Sequence, residues 1–199
     1  SIGENDGWQS FVNSFGEGRT GKQYVSFSVT PLIDNVDGSI SFADAEKEVA
    51  GFNDVAMMIR MNAEGIFDVG NGDNYEKLAD VAYEANGIYF VEVYADMNAK
   101  TYSVYVTPDG GAPTLIAENY AFRTSANNAD DLGQVFFVSA GGSDQFSVDY
   151  IKRLEIYDPA KAYLSTGENM GWMSKPIKLA KEYTGKIKIE FDMTSRIDS

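Results

Sequence analysis

The chain has 199 residues, with 16 Lys+Arg against 30 Asp+Glu, no His, no Cys and a formal net charge of −14. Without His or Cys there is no Ser-His-Asp triad, thiol nucleophile, Cys/His zinc site or disulfide framework, and so acidic a chain argues against nucleic-acid recognition, which needs Lys and Arg to neutralise phosphates. At 44% hydrophobic and 13% aromatic, it is too apolar for a disordered acidic tail and long enough to bury a core.

The first strand signal in chain order is Tyr24–Thr30, where Val25, Phe27 and Val29 fall on one face and Ser26 and Ser28 on the other. Asp44–Ala50 reads either as two helical turns, with Asp44 as N-cap and Gly51 as stop, or as a solvated loop. Val55–Ile59 and Gly65–Val69 predict two short strands, the second running into the glycine-punctuated Gly70–Tyr75. Gly87–Tyr94 and Thr101–Thr107 alternate at period two around Asp96–Lys100, a hairpin connection. Thr107–Gly111 is a turn leading into Leu115–Ala117, and Val135–Val138 and Phe146–Ile151 supply two late strands. Pro159–Tyr163 predicts one further turn. Short strands separated by glycine-rich turns, in a chain with 19 Gly against 5 Pro, predict an all-β fold, a two-sheet antiparallel β-sandwich or jelly roll with at most one or two short helices.

No stretch approaches the roughly 20 apolar residues that a membrane-spanning helix needs. The start at Ser1 without Met reads as a mature or excised piece of a larger protein.

The sequence repeats itself at a spacing of 164. Residues 1–35 and 165–199 share 14 identities without a gap, and both Trp residues, Trp8 and Trp172, fall inside the repeat. The expected organisation is a module over 1–158, a linker over 159–164, and the opening strands of a second tandem copy over 165–199. A lone hairpin is marginal in water, so 165–199 is expected either to fold back on its own module or to exchange strands in a homo-dimer. Charge suits either arrangement, since residues 1–164 are net −15 and 165–199 net +1.

Four segments carry a family resemblance: Gly65–Gly72 followed by Tyr75, Gly87–Val93 with Asp96 and Thr101–Val106, Ile116–Arg123, and Phe146–Ile151. Together they resemble the concanavalin A-like (laminin G-like) sandwich modules appended to bacterial polysaccharide lyases and glycoside hydrolases. The resemblance covers about residues 24–155, with Asn119–Arg123 after the Tyr102–Val106 hairpin strand as its most specific part. It implies an ancillary domain of a secreted, extracellular bacterial polysaccharide-degrading enzyme, with polysaccharide as its partner.

The candidate binding residues lie at strand ends. Sugar sites pair planar amides or carboxylates with hydroxyls and cover the apolar face of the ring with an aromatic. In the loop 68–75, Asn71, Asp73 and Tyr75 offer that combination, against the plainer reading of a β-turn. Asn53, Asp54 and Arg60 flank the Val55–Ile59 strand. Trp8 and Trp172 are either stacking platforms or, in their repeated glycine frame, structural covers. Arg123 is expected to pair with Asp96 or Asp149, because an unpaired buried charge is costly. The resemblance implies a possible structural calcium at Asp149, with a salt bridge to Arg123 or Lys152 as the alternative. The Glu-x-Asp-x-x-Glu spacing of a retaining glucanase is absent from the sequence, and such an enzyme needs carboxylates about 5–5.5 Å apart. The expected function is non-catalytic carbohydrate binding that targets a polysaccharide-degrading enzyme to glycan. The alternative is a structural, spacer or cell-surface module with no sugar site.

Overall fold

The computed structural model describes residues 12–139 and 145–155. By its contacts the chain divides into two units, Ser1–Ala162 and Tyr163–Ser199, and the described residues all belong to the first. Trp8, Trp172, the linker 159–164, the second copy at 165–199 and any exchange dimer built from it lie outside the described residues.

Eleven strands are described: β1 (Val12–Arg19), β2 (Lys22–Pro31), β3 (Gly38–Ala43), β4 (Met57–Met61), β5 (Phe67–Asn71), β6 (Asn74–Glu76), β7 (Tyr89–Asp96), β8 (Thr101–Pro108), β9 (Thr114–Ala121), β10 (Leu132–Ser139) and β11 (Phe146–Glu155). They form two sheets, one ordered β1-β10-β3-β4-β5-β6 and the other β11-β2-β7-β8-β9, with every pairing antiparallel. The only helical pieces among the described residues are single 3-10 turns at Phe52–Asp54 and Thr124–Ala126. This is the all-β, two-sheet antiparallel sandwich that the glycine-spaced alternation predicts.

Period-two patterning decides which side chains meet between the sheets. Val25, Phe27 and Val29 of β2, Val91 and Val93 of β7, and Val104 and Val106 of β8 are fully buried against Ile40 and Phe42 of β3, Ile59 of β4, Phe67 and Val69 of β5, and Val135 of β10. The intervening residues of each strand face outward.

Asp44–Ala50 is a loop and not a helix. Its carbonyls are taken by a side chain from a neighbouring strand: Gln134 Nε2 donates to the oxygens of Asp44, Ala45 and Lys47 at 2.5, 3.0 and 2.9 Å. Asp131 Oδ1 accepts from the Ala45 amide at 2.9 Å. These tertiary bonds satisfy groups that a helix would have bonded internally.

Hairpin chemistry follows the residue types. Asp96 Oδ1 accepts from the amides of Asn98 and Ala99 at 3.0 and 2.9 Å, and Lys100 closes the β7–β8 turn at a φ of +57°. Gly72 and Asp73 join the paired Asn71 and Asn74, with Gly72 at a φ of +58°. Glycine at the first central position of a two-residue loop relieves the left-handed strain and keeps β5 and β6 tightly paired.

Candidate functional site

The outer face of the six-stranded sheet carries the candidate site. Register sets Ser39 opposite Arg60 and Arg60 opposite Asp68, and one row away Ser41 opposite Met58 and Gly70 opposite Tyr75. Three consecutive short strands thus bring an arginine, a carboxylate and a ring to one corner.

Arg60 and Asp68 make a two-pronged pair. Arg60 Nε donates to Asp68 Oδ1 at 2.8 Å and Nη2 donates to Oδ2 at 2.7 Å. Asn62 Nδ2 adds a third bond to Oδ2 at 2.8 Å. A fork of this geometry holds the guanidinium plane in one orientation. The Asp68 hydrogen bonds raise the Arg60 pKa above its ordinary value, so the group stays cationic. The Arg60 guanidinium carbon stands 3.9 Å from the centre of the Tyr75 ring, within cation–π range. Tyr75 is fixed at its other end: its hydroxyl donates to Met58 Sδ and accepts from Arg123 Nη1, both at 3.3 Å.

These groups edge a groove of about 600 Å³ whose lining includes Asp37, Arg60, Asn62, Glu64, Tyr75 and Lys77. A crevice of about 200 Å³ continues from it past Ser39, Phe52 and Val138. Beneath, Ala43, Val55, Met58 and Phe136 form a small apolar cluster on which Tyr75 packs.

The predicted site residues separate in the structure. Arg60 and Tyr75 meet at the groove. Asn71 lies one hairpin turn away, where Nδ2 donates to Glu76 Oε2 at 2.9 Å and Oδ1 accepts from the Ala121 amide at 3.0 Å, so it ties strands together. Asp73 stands exposed at the tip of the same turn. Asn53 is exposed in the 52–54 turn. Asp54 Oδ2 accepts from the amides of Ala50 and Gly51 at 3.0 and 3.1 Å, and its carboxylate lies 3.4 Å from Lys47 Nζ. The Ala50 amide above all, with Gly51 and Lys47, holds the Asp54 pKa below the usual carboxylate value. Asn62, Asp37 and Glu64 also line the groove and were not among the predicted site residues. Their polar character alone carries no signal, because register and not spacing brings them to the groove.

Arg123 corrects one expectation. It pairs with neither Asp96 nor Asp149 but reaches the Tyr75 hydroxyl, while its amide donates to the Ala56 oxygen at 2.9 Å. Sheet order explains this, since Arg123 follows β9 at one edge while Asp149 sits on β11 at the other. Asp96 is occupied with its own turn. Asp149 is exposed on β11 beside Tyr150, and no group of three or more acidic side chains able to hold a metal occurs among the described residues.

A gellan lyase from a Bacillus species is 29% identical over 131 residues, a match covering 65% of this chain and 5% of the lyase. The chain itself is a two-sheet antiparallel β-sandwich, similar over most of the described residues to part of a polysaccharide lyase. The chain spans only a small part of that relative's length. No family model matches it. Solved structures similar to it include a sialidase (15% identity, TM-score 0.45, covering 72% of this chain and 14% of that one) and the catalytic domain of a glycoside hydrolase family 131 protein from Coprinopsis cinerea (14%, 0.45, 68% and 57%). Peanut lectin is also similar, at 20% identity and a TM-score of 0.43, with 68% of this chain and 73% of the lectin covered.

Proposed function

We propose that the chain is a non-catalytic carbohydrate-binding module of a secreted bacterial polysaccharide-degrading enzyme, and that the groove around Arg60 is its sugar site. The observation that carries this reading is the locked Asp68–Arg60–Tyr75 stack at the edge of an open groove. Sugars are bound by polar groups already oriented for pairs of hydroxyls, beside a ring that covers an apolar face. Here the guanidinium and the Asn62 amide are oriented before any ligand arrives, so little ordering entropy remains to be lost on binding.

The same hydrogen bonds argue for binding over turnover. Asp68 accepts three donors, from Arg60 Nε, Arg60 Nη2 and Asn62 Nδ2, so its oxygens are engaged within the protein. The Arg60 charge is already matched by Asp68 and is not available to neutralise a substrate carboxylate. The Tyr75 hydroxyl is engaged by Met58 and Arg123.

Affinity electrophoresis through gels containing gellan, neutral glucans or xylans tests the reading. The wild type is expected to be retarded by at least one of them, and Arg60→Ala and Tyr75→Ala to lose most of that retardation while keeping the far-UV spectrum of a β-sandwich. Neither unsaturated products nor new reducing ends should appear on prolonged incubation with the retarding glycan. Unchanged migration of the wild type in every gel would instead support a spacer module.

A further inference from the structure

We propose that the outer face of the five-stranded sheet is a second glycan-binding surface, centred on Tyr94, so that the module holds glycan on both of its outer faces.

Across β2, β7 and β8 the outward positions form rows set by register: Tyr24–Tyr94–Ser103, Ser26–Glu92–Tyr105 and Ser28–Phe90–Thr107. In a chain of net −14, Glu92 is the only charged residue in these three rows, and the next row, Lys22–Asp96–Thr101, carries one charge of each sign facing each other at 4.0 Å. The Glu92 carboxylate is itself occupied, because Glu92 Oε1 accepts from the Tyr24 hydroxyl at 2.7 Å and lies 3.5 Å from the Tyr94 hydroxyl.

The rings form a connected ladder. Tyr24 and Tyr94 lie 5.0 Å apart between centres, and Tyr94 and Tyr105 lie 5.9 Å apart. Each leans on the next, which holds it in place at small entropic cost, yet Tyr94 remains 39% exposed and Phe90 38%. Beside β2, the irregularity of β11 between Asp149 and Lys152 leaves Tyr150 85% exposed with a φ of +57°. A bulge of this kind re-aims a side chain out of the strand, and a left-handed φ on a bulky residue is strained.

The small residues between the rings leave space. A groove of about 400 Å³ runs beside Tyr94 and is lined by Lys22, Asp96, Thr101, Ser103 and Asn119. Asp96 is held by its turn amides and faces Lys22 at 4.0 Å. That leaves an ammonium, two hydroxyls and an amide around one ring, a set that matches the hydroxyls of a sugar lying along an aromatic face. A protein partner would favour a continuous apolar centre, whereas here the tilted rings are broken by Ser26, Ser28 and Ser103.

This surface is separate from the Arg60 groove, and the test keeps the two apart. The proteins are wild type, Tyr94→Ser/Tyr105→Ser, Arg60→Ala and the triple variant, each checked by circular dichroism and sedimentation velocity. They are run through gels of the polysaccharides named above and titrated calorimetrically with an oligosaccharide of the retarding one. The expected result is an intermediate loss of retardation in both the tyrosine pair variant and Arg60→Ala, and a complete loss in the triple variant. The tyrosine pair should weaken binding about two- to tenfold, the scale of losing an aromatic contact, and reduce the calorimetric stoichiometry from two sites towards one. A tyrosine pair variant that migrates like wild type in both backgrounds, with Arg60→Ala alone abolishing binding, overturns the second surface and leaves the groove reading intact. The reverse pattern supports the second surface and overturns the groove reading. A wild type that no glycan retards overturns both, and a change of oligomeric state without a change of retardation in the tyrosine pair variant overturns this proposal in favour of a protein interface.

Discussion

Asp54 shows how one carboxylate can be a site candidate by position and a structural group by its bonds. Its amide donors and Lys47 hold its folded pKa below the usual value, so its contribution is present above the unfolded carboxylate pKa of about 3.9 and is lost as pH falls through the lower folded value. Asp54→Asn should therefore unfold at lower urea than wild type at pH 7, with the two midpoints converging below that range. Asp44 works in the opposite sense. Burial raises its pKa despite the Asp131 amide, so ionising Asp44 works against the fold as pH rises through the folded value. A urea series across the acid range on both Asp54→Asn and Asp44→Asn separates the two contributions. The residue scale is also where the sequence is least legible. Arg60 and Tyr75 could be named as candidates from their types and strand-end positions, but their partnership depends on the β4–β5 and β5–β6 registers, which spacing alone does not specify. Tyr94 was visible only as part of a strand, because a half-exposed tyrosine in an alternating segment looks like ordinary patterning.

At the scale of elements, Tyr102 joins the two layers. It starts on β8, crosses the core and places its hydroxyl between β4 and β5, where it accepts from the Met58 amide at 3.2 Å and donates to the Gly70 oxygen at 2.6 Å. Complete burial pushes the Tyr102 pKa far above its ordinary value, so the hydroxyl stays protonated and able to donate. Tyr102→Phe would leave a buried amide and carbonyl without a partner and should cost about 1–3 kcal/mol in urea denaturation. Gly133 marks a second junction, where β10 meets the 44–47 loop. A Cβ there would lie 2.2 Å from Ala45 Cα, so Gly133→Ala must displace the loop that Gln134 holds and should cost about 1–3 kcal/mol by the same measurement. Strands β2, β7 and β8 were readable because their alternation runs long. Strand β3 was not, because only Ile40 and Phe42 carry its alternation, and Gln134 overrides the helical signal that follows it.

At the scale of the whole molecule, the described strands make one sandwich whose interior is ordinary hydrophobic packing and whose two outer faces are chemically distinct. One carries a guanidinium locked between a carboxylate and a ring, and the other a ladder of tyrosines spaced by serines. On the proposed reading, such a module would hold an attached enzyme on its polysaccharide by positioning, and further copies of the site would add avidity through effective concentration. The most direct measurement is an amide ¹H–¹⁵N NMR titration with an oligosaccharide of the retarding glycan. The account predicts perturbations clustered on Met58–Asn62, Asp68 and Tyr75–Lys77 for the groove, with a second cluster on Phe90–Tyr94 and Ser103–Tyr105 for the tyrosine face, and the sugar recovered intact. Perturbations that leave these residues unmoved, or conversion of the oligosaccharide during the titration, would contradict it.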